Sequence, residues 1–185
     1  MVRKKRRWSR RRGPLSRFRS FLRSPRTMSR DGSSVLFGAI PAALEFSAHE
    51  KRALRQFARE LTRRVAAGGA FTCLITNDCE LQRLNRDFLG HDYPTDVLSF
   101  PGASESAGLG EIAVSCERAK AQADEFGHGR IDEIRILILH GLLHLTGMDH
   151  ERDGGEMGRA ERRWRDEFGL PATLIARAAG EGRIE

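Results

Sequence analysis

Residues 140–150 read HGLLHLTGMDH and follow directly on IRILIL, residues 134–139. Apolar residues occupy nearly every side of the segment from Ile134 to Leu145, the pattern of a helix buried in a domain centre rather than an amphipathic surface helix. On a period of 3.6 residues His140 and His144 lie one turn apart on one face. Gly147 is suited to the left-handed residue that ends a helix, and a chain reversing there returns His150 toward that face. A single histidine in an apolar helix is ordinarily a hydrogen-bonded core residue. Three at this spacing, across a glycine turn, point to a metal site with His140, His144 and His150 as ligands.

The ligand set has a chemistry of its own. Three neutral imidazoles around one zinc ion leave the fourth tetrahedral position for water, which separates a catalytic from a closed structural site. Zinc is expected over nickel, copper or iron because open three-histidine sites are characteristically hydrolytic zinc sites. The spacing H-x3-H-x5-H fits the metzincin protease frame H-E-x-x-H-x-x-G-x-x-H at all three histidines and at the glycine. It departs at Gly141, where those proteases carry the glutamate that moves the proton. Metal binding is retained and the peptidase mechanism is not. Asp149, beside a ligand, is expected either to hold a histidine N–H or to take part in catalysis. Glu133 is read as a solvated acid in the first turn of the helix.

Around this segment the pattern is that of one mixed α/β domain. SSVLFGAI (33–40), AFTCLIT (70–76), TDVLSFP (95–101) and GEIAVS (110–115) read as strands. Helices are expected over 47–67, with Ser47 as N-cap and Glu50 completing a capping box, and over 77–90, capped by Asn77 or Asp78. Two more, over 115–127 and 153–169, are each closed by glycine. The loop GASESAG (102–108) separates the last two strands. Thr95 and Asp96 are expected to satisfy loop N–H groups. In GEIAVS, Ile112 and Val114 are expected to face the core, alternating with Glu111 and Ser115.

Charge divides the chain. Residues 1–30 hold thirteen Lys or Arg and no acid, so of 32 basic and 25 acidic residues the remainder keeps 32 − 13 = 19 against 25, a formal −6. The opening segment, 1–32, is too poor in apolar residues to fold alone. It reads as an RNA-binding arm in which Trp8, Phe18 and Phe21 stack on bases, a solvated tail, an organellar presequence, or sequence upstream of a true start at Met28. The domain is expected over 33–172, with a tail over 173–185. Three cysteines, Cys73, Cys79 and Cys116, lack CxxC spacing and suit a reducing cytoplasm. The longest apolar run, ILIL, is too short to span a bilayer.

HGLLHLTGMDH closely resembles the H-G-x-L-H-L-x-G-x-D-H pattern of the YbeY family of bacterial endoribonucleases, also called rRNA maturation factors. LNRDFLGHDYPTDVLSFP (84–101) and LGEIAVS (109–115) resemble two further family blocks, in the same order, across roughly Ser33 to Leu170. The resemblance implies an α+β fold, a small mixed four-stranded sheet packed with about five helices, with a metzincin-like central helix binding one Zn2+ through His140, His144 and His150. It also implies cleavage of single-stranded RNA, maturation of the 16S rRNA 3′ end and ribosome quality control, with the small ribosomal subunit, ribosomal proteins and an assembly GTPase as partners and no membrane. By the same analogy the other edge of the GEIAVS strand is a candidate cradle for extended RNA. One departure stands out: Leu89 occupies the place of a family arginine associated with activity. A leucine neither grips a phosphate nor stabilises transition-state charge. Arg86, on a neighbouring helical face, is the candidate substitute for RNA binding. The alternative reading is a ribosome-assembly RNA-binding factor with a structural zinc.

Overall fold

The computed structural model describes residues 33–102, 108–150 and 152–171. The expectations for the opening arm, for Met28, for the loop interior at 103–107 and for the tail from 173 lie outside these residues. Four strands, β1 (Ser34–Phe37), β2 (Phe71–Thr76), β3 (Val97–Pro101) and β4 (Gly110–Ser115), form one mixed sheet in the order β1-β2-β4-β3. β1, β2 and β4 run parallel, and β3 pairs antiparallel to β4 with Val97 opposite Val114 and Phe100 opposite Glu111. Five α-helices accompany them among the described residues: α1 (Ala48–Arg64), α2 (Asp78–Leu89), α3 (Cys116–Phe126), α4 (Arg130–Leu145) and α5 (Glu156–Phe168). The α+β architecture and the four-stranded mixed sheet are as the sequence led us to expect.

Both sheet faces are covered, because successive side chains of a strand point to opposite faces. Cys73, Ile75, Ile112 and Val114 pack with Leu54 and Leu61 of α1, with the apolar run of α4 and with Met157 of α5. Leu74, Ala113, Leu98 and Phe100 turn the other way, onto Leu81 and Leu84 of α2. β4 is therefore flanked by strands on both edges, and its backbone is engaged by β2 and β3. This corrects the expectation that its edge is free for RNA. The free edge on that side of the sheet belongs to β3.

Local chemistry sets the helix ends. Ser47 and Glu50 form the full capping box of α1, Ser47 Oγ accepting from the Glu50 amide at 3.2 Å and Glu50 Oε2 from the Ser47 amide at 2.7 Å. Asn77, not Asp78, caps α2. Asp78 instead receives the Ser115 hydroxyl at 2.5 Å and so ties α2 to the end of β4. Asp96 has the structural role expected of it: Oδ1 accepts from the Val97 amide and the Thr95 hydroxyl, and Oδ2 from Gln122.

α4 is buried along almost its whole length, Ile134 and Ile136 through Leu143 all being inside. Glu133 departs from expectation. It is fully buried, and its Oε2 lies 2.5 Å from Nε2 of His128. The turn at Gly127, in a left-handed conformation, folds His128 back over the first turn of α4, where the two side chains pair out of solvent.

Candidate metal centre

The end of α4 builds the site. Gly147, at φ +95°, sends its amide to the His144 carbonyl at 3.0 Å, and Met148 sends its amide to the Leu143 carbonyl at 3.2 Å. These two bonds are the Schellman arrangement, in which a left-handed glycine satisfies the last carbonyls and reverses the chain. The reversal does two things at once. It swings His150 toward the helix, and it aims the Met148 carbonyl at Nδ1 of His144, 3.1 Å away.

His140, His144 and His150 come together as the spacing foretold. Their ring centroids lie 4.8, 5.4 and 5.3 Å apart in pairs, and one ligand nitrogen from each falls within 4.8 Å of the others. His140 is buried, His144 half-buried and His150 exposed, so the cluster runs from the interior to the solvent-exposed surface. Nε2 of His140 and Nε2 of His144 are 3.2 Å apart. Nitrogens bound at about 2.0–2.1 Å to one tetrahedral ion lie about 3.3 Å apart, so this pair fits zinc without rearrangement.

The opposite ring nitrogens carry the stronger evidence. Nδ1 of His140 faces Oε2 of Glu161 at 3.1 Å, and Glu161 is fully buried. Both acceptors, the Glu161 carboxylate and the Met148 carbonyl, fix the proton on Nδ1 and leave the Nε2 lone pairs turned toward each other. Two lone pairs held face to face repel unless a cation lies between them. Burial, and next the neighbouring His140, keep the His144 imidazole below its ordinary pKa, favouring the neutral form a metal requires.

Glu161 is the residue that sequence reasoning missed. Glu161 serves Nδ1 of His140 and the Met148 carbonyl serves Nδ1 of His144, and the Asp149 carboxylate lies 3.5 Å from Arg152. A signal was present in the pattern. Met157, Glu161, Trp164 and Phe168 recur at helical spacing, and a glutamate on an otherwise apolar stripe requires a buried partner.

Gly141 has a packing reason. A Cβ there would lie 2.9 Å from Cγ2 of Ile112 and 3.0 Å from Oγ of Ser99, whose hydroxyl donates to the Gly141 carbonyl. The helix thus sits flush on β3 and β4, and a glutamate cannot be accommodated where the proteases carry one. Arg86 is not part of the cluster. Its guanidinium contacts Asp87 and Asp92, and α2 lies on the sheet face opposite α4. Leu89, half-exposed, ends the same helix.

The family model described as Endoribonuclease YbeY matches residues 42–169. The chain belongs to the YbeY family. Among curated members, Endoribonuclease YbeY of Solibacter usitatus is 54% identical over 149 residues, 80% of this chain and 97% of that protein. The Koribacter versatilis member is 51% identical over 120 residues, covering 63% of this chain and 78% of that protein. The solution structure of TM1509 from Thermotoga maritima superposes with a TM-score of 0.52 at 24% identity, over 82% of this chain and 97% of that one. That likeness concerns the fold. The three-histidine cluster and its Glu161 support lie inside the stretch the family model matches.

Proposed function

We propose that this protein is a zinc-dependent endoribonuclease that cleaves single-stranded RNA, acting in the cytoplasm in 16S rRNA 3′-end maturation and ribosome quality control. Its partners in this reading are rRNA, the small ribosomal subunit, ribosomal proteins and an assembly GTPase. The activity rests on the curated relatives named above, and the observation that carries it in this chain is the pair of Nε2 atoms held 3.2 Å apart by anchored Nδ1 atoms. Among the described residues no helix is long and apolar enough to cross a membrane.

When bound, zinc supplies Lewis acidity toward a phosphodiester oxygen and lowers the pKa of a coordinated water toward about 7. The protein's part is positional. His140, His144 and His150 would hold the ion, and Glu161 and the Met148 carbonyl keep the first two imidazoles in the ligating tautomer. Gly141 leaves the site without a side-chain base on α4, which suits a substrate carrying its own nucleophile, the 2′-hydroxyl of RNA. The alternative, an assembly factor with a structural zinc, is disfavoured by the donor count: structural zinc sites close with four protein ligands, and the described residues offer three.

The test compares the full chain with His144→Ala for zinc content and for cleavage of a single-stranded RNA. Loss of both is expected, and undiminished cleavage by a zinc-free His144→Ala protein removes the catalytic metal. Leu89→Arg is expected to raise cleavage, since arginine restores a bidentate phosphate contact. No gain would dissociate Leu89 from activity.

A further inference from the structure

Helix α1 carries a ridge of cations that the metal centre does not use. Lys51, Arg55, Arg59 and Arg63 recur every fourth residue, with Arg52 beside them. At 1.5 Å rise per residue they are about 6 Å apart along the helix, close to the separation of successive phosphates on an extended strand. Arg52, Arg59 and Arg63 are exposed. Lys51 and Arg55 each sit over the ring of Phe37 on β1, both 5.4 Å from its centroid, so the start of the ridge is braced on the outermost strand.

The pairing of charges separates this ridge from the cations of α2 and α3. On α2, Arg83 pairs with Glu80 and Asp87, and Arg86 with Asp87 and Asp92; on α3, Lys120 pairs with Asp124 and Arg118 with Asp78. Among the described residues, only Arg63 of the five ridge cations has an acidic partner, Glu60. Beyond residue 30 the chain is formally −6, so an unneutralised row of cations is not a by-product of a basic domain.

We infer that the α1 ridge is a docking track for the phosphate backbone of single-stranded RNA, separate from the metal centre. The inference rests on the ribonuclease reading for the identity of the polyanion. The ridge tethers an RNA longer than the few nucleotides at the histidines, through phosphate contacts that are indifferent to sequence.

The experiment uses the full chain in a His144→Ala background, so that RNA survives the measurement. Binding of a fluorescein-labelled 20-nucleotide oligouridine is followed by anisotropy from 50 to 300 mM salt, for R52E/R59E and for the charge-retaining R52K/R59K. Loss of two phosphate contacts shallows the log Kd against log salt slope by about 1.4 and weakens binding roughly tenfold at low salt, with R52K/R59K unchanged. Circular dichroism confirms that both variants fold. In the active background, R52E/R59E raises KM for the 20-mer and leaves kcat alone. An unchanged Kd and slope in R52E/R59E overturns the inference, as does loss of polyglutamate binding with RNA binding intact, which would assign the ridge to an acidic protein. Absence of RNA cleavage by the unmutated chain would sink the ribonuclease reading instead, while the anisotropy still decides the ridge.

Discussion

The fully buried carboxylate of Glu161, on α5, accepts from Nδ1 of His140, on α4, at 3.1 Å. Twenty-one residues apart in sequence, the two make one functional unit, because the carboxylate sets which imidazole nitrogen is free to bind a metal. Partners of metal-bound histidines of this kind are typically worth about 10–100-fold in metal affinity. Glu161→Leu is accordingly expected to weaken zinc binding by that factor, and Glu161→Gln, which keeps an acceptor oxygen, by less. Competition against a chromophoric chelator measures both. Equal affinity in Glu161→Leu and the parent protein would show that the bond does not tune the site.

The reversal at Gly147 couples fold and site in the same way. An alanine at φ +95° is strained, with a cost of about 1–2 kcal/mol for the left-handed backbone. Gly147→Ala is expected to lower stability by about that amount in urea unfolding. Because the turn also aims the Met148 carbonyl and returns His150, it should weaken zinc binding too. Lost stability with unchanged zinc affinity would mean that the turn closes the helix without shaping the site.

At Gly141 two effects oppose one another. Alanine gains about 1 kcal/mol of helix propensity over glycine, but overpacking a filled core costs about 1–3 kcal/mol. With Cβ 2.9 Å from Ile112 and 3.0 Å from Ser99, both on strands of the sheet, the steric cost dominates. Gly141→Ala should be destabilising by about 1 kcal/mol, and Gly141→Glu by considerably more without conferring peptidase activity. A neutral or stabilising Gly141→Ala in thermal unfolding would contradict the close approach.

The capping box of α1 gives a pH dependence. The hydrogen bond from the Ser47 amide holds the Glu50 carboxyl below its ordinary value of 4.5, against a smaller opposing effect of burial, with Arg130 assisting. A depressed folded-state pKa means that the unfolded chain takes up the proton first. The stabilisation is therefore complete above about pH 4.5 and lost as pH falls through the lower folded value. The stability difference between the parent protein and Glu50→Gln should be constant from pH 6 to 8 and should shrink below about pH 4.5. A difference that grew on acidification would reverse the assignment.

Much was legible in one dimension because it depends on neighbours in the chain. The capping box, the buried helix, the glycine stops and the three-histidine spacing are all relations within a dozen residues, and the backbone geometry that realises them is local. The placement of β4 was not: its apolar alternation says which side chains point inward, but sheet order is set by which strands pair, and β3 closes the edge that seemed open. Glu133 and Glu161 show the same limit. Glu133 reads in the sequence as a solvated first-turn acid, and its burial and its pairing with His128 come from the turn at Gly127 closing over α4, while Glu161 meets His140 across 21 residues only through the packing of α5 on α4.

The sequence by itself determined the family and the clustering of three histidines that could hold a metal ion, since His140, His144, Gly147 and His150 lie on one helix and its turn, where spacing in the chain is spacing in space. Only the tertiary structure decided why Gly141 must be glycine, which carboxylate orients His140, and that α2 packs through Leu81 and Leu84 on the sheet face opposite α4 while Arg86 and Leu89 stay exposed. Those depend on how α4, α5 and the sheet close on one another. That is settled by burial and packing summed over the whole core rather than by any one segment.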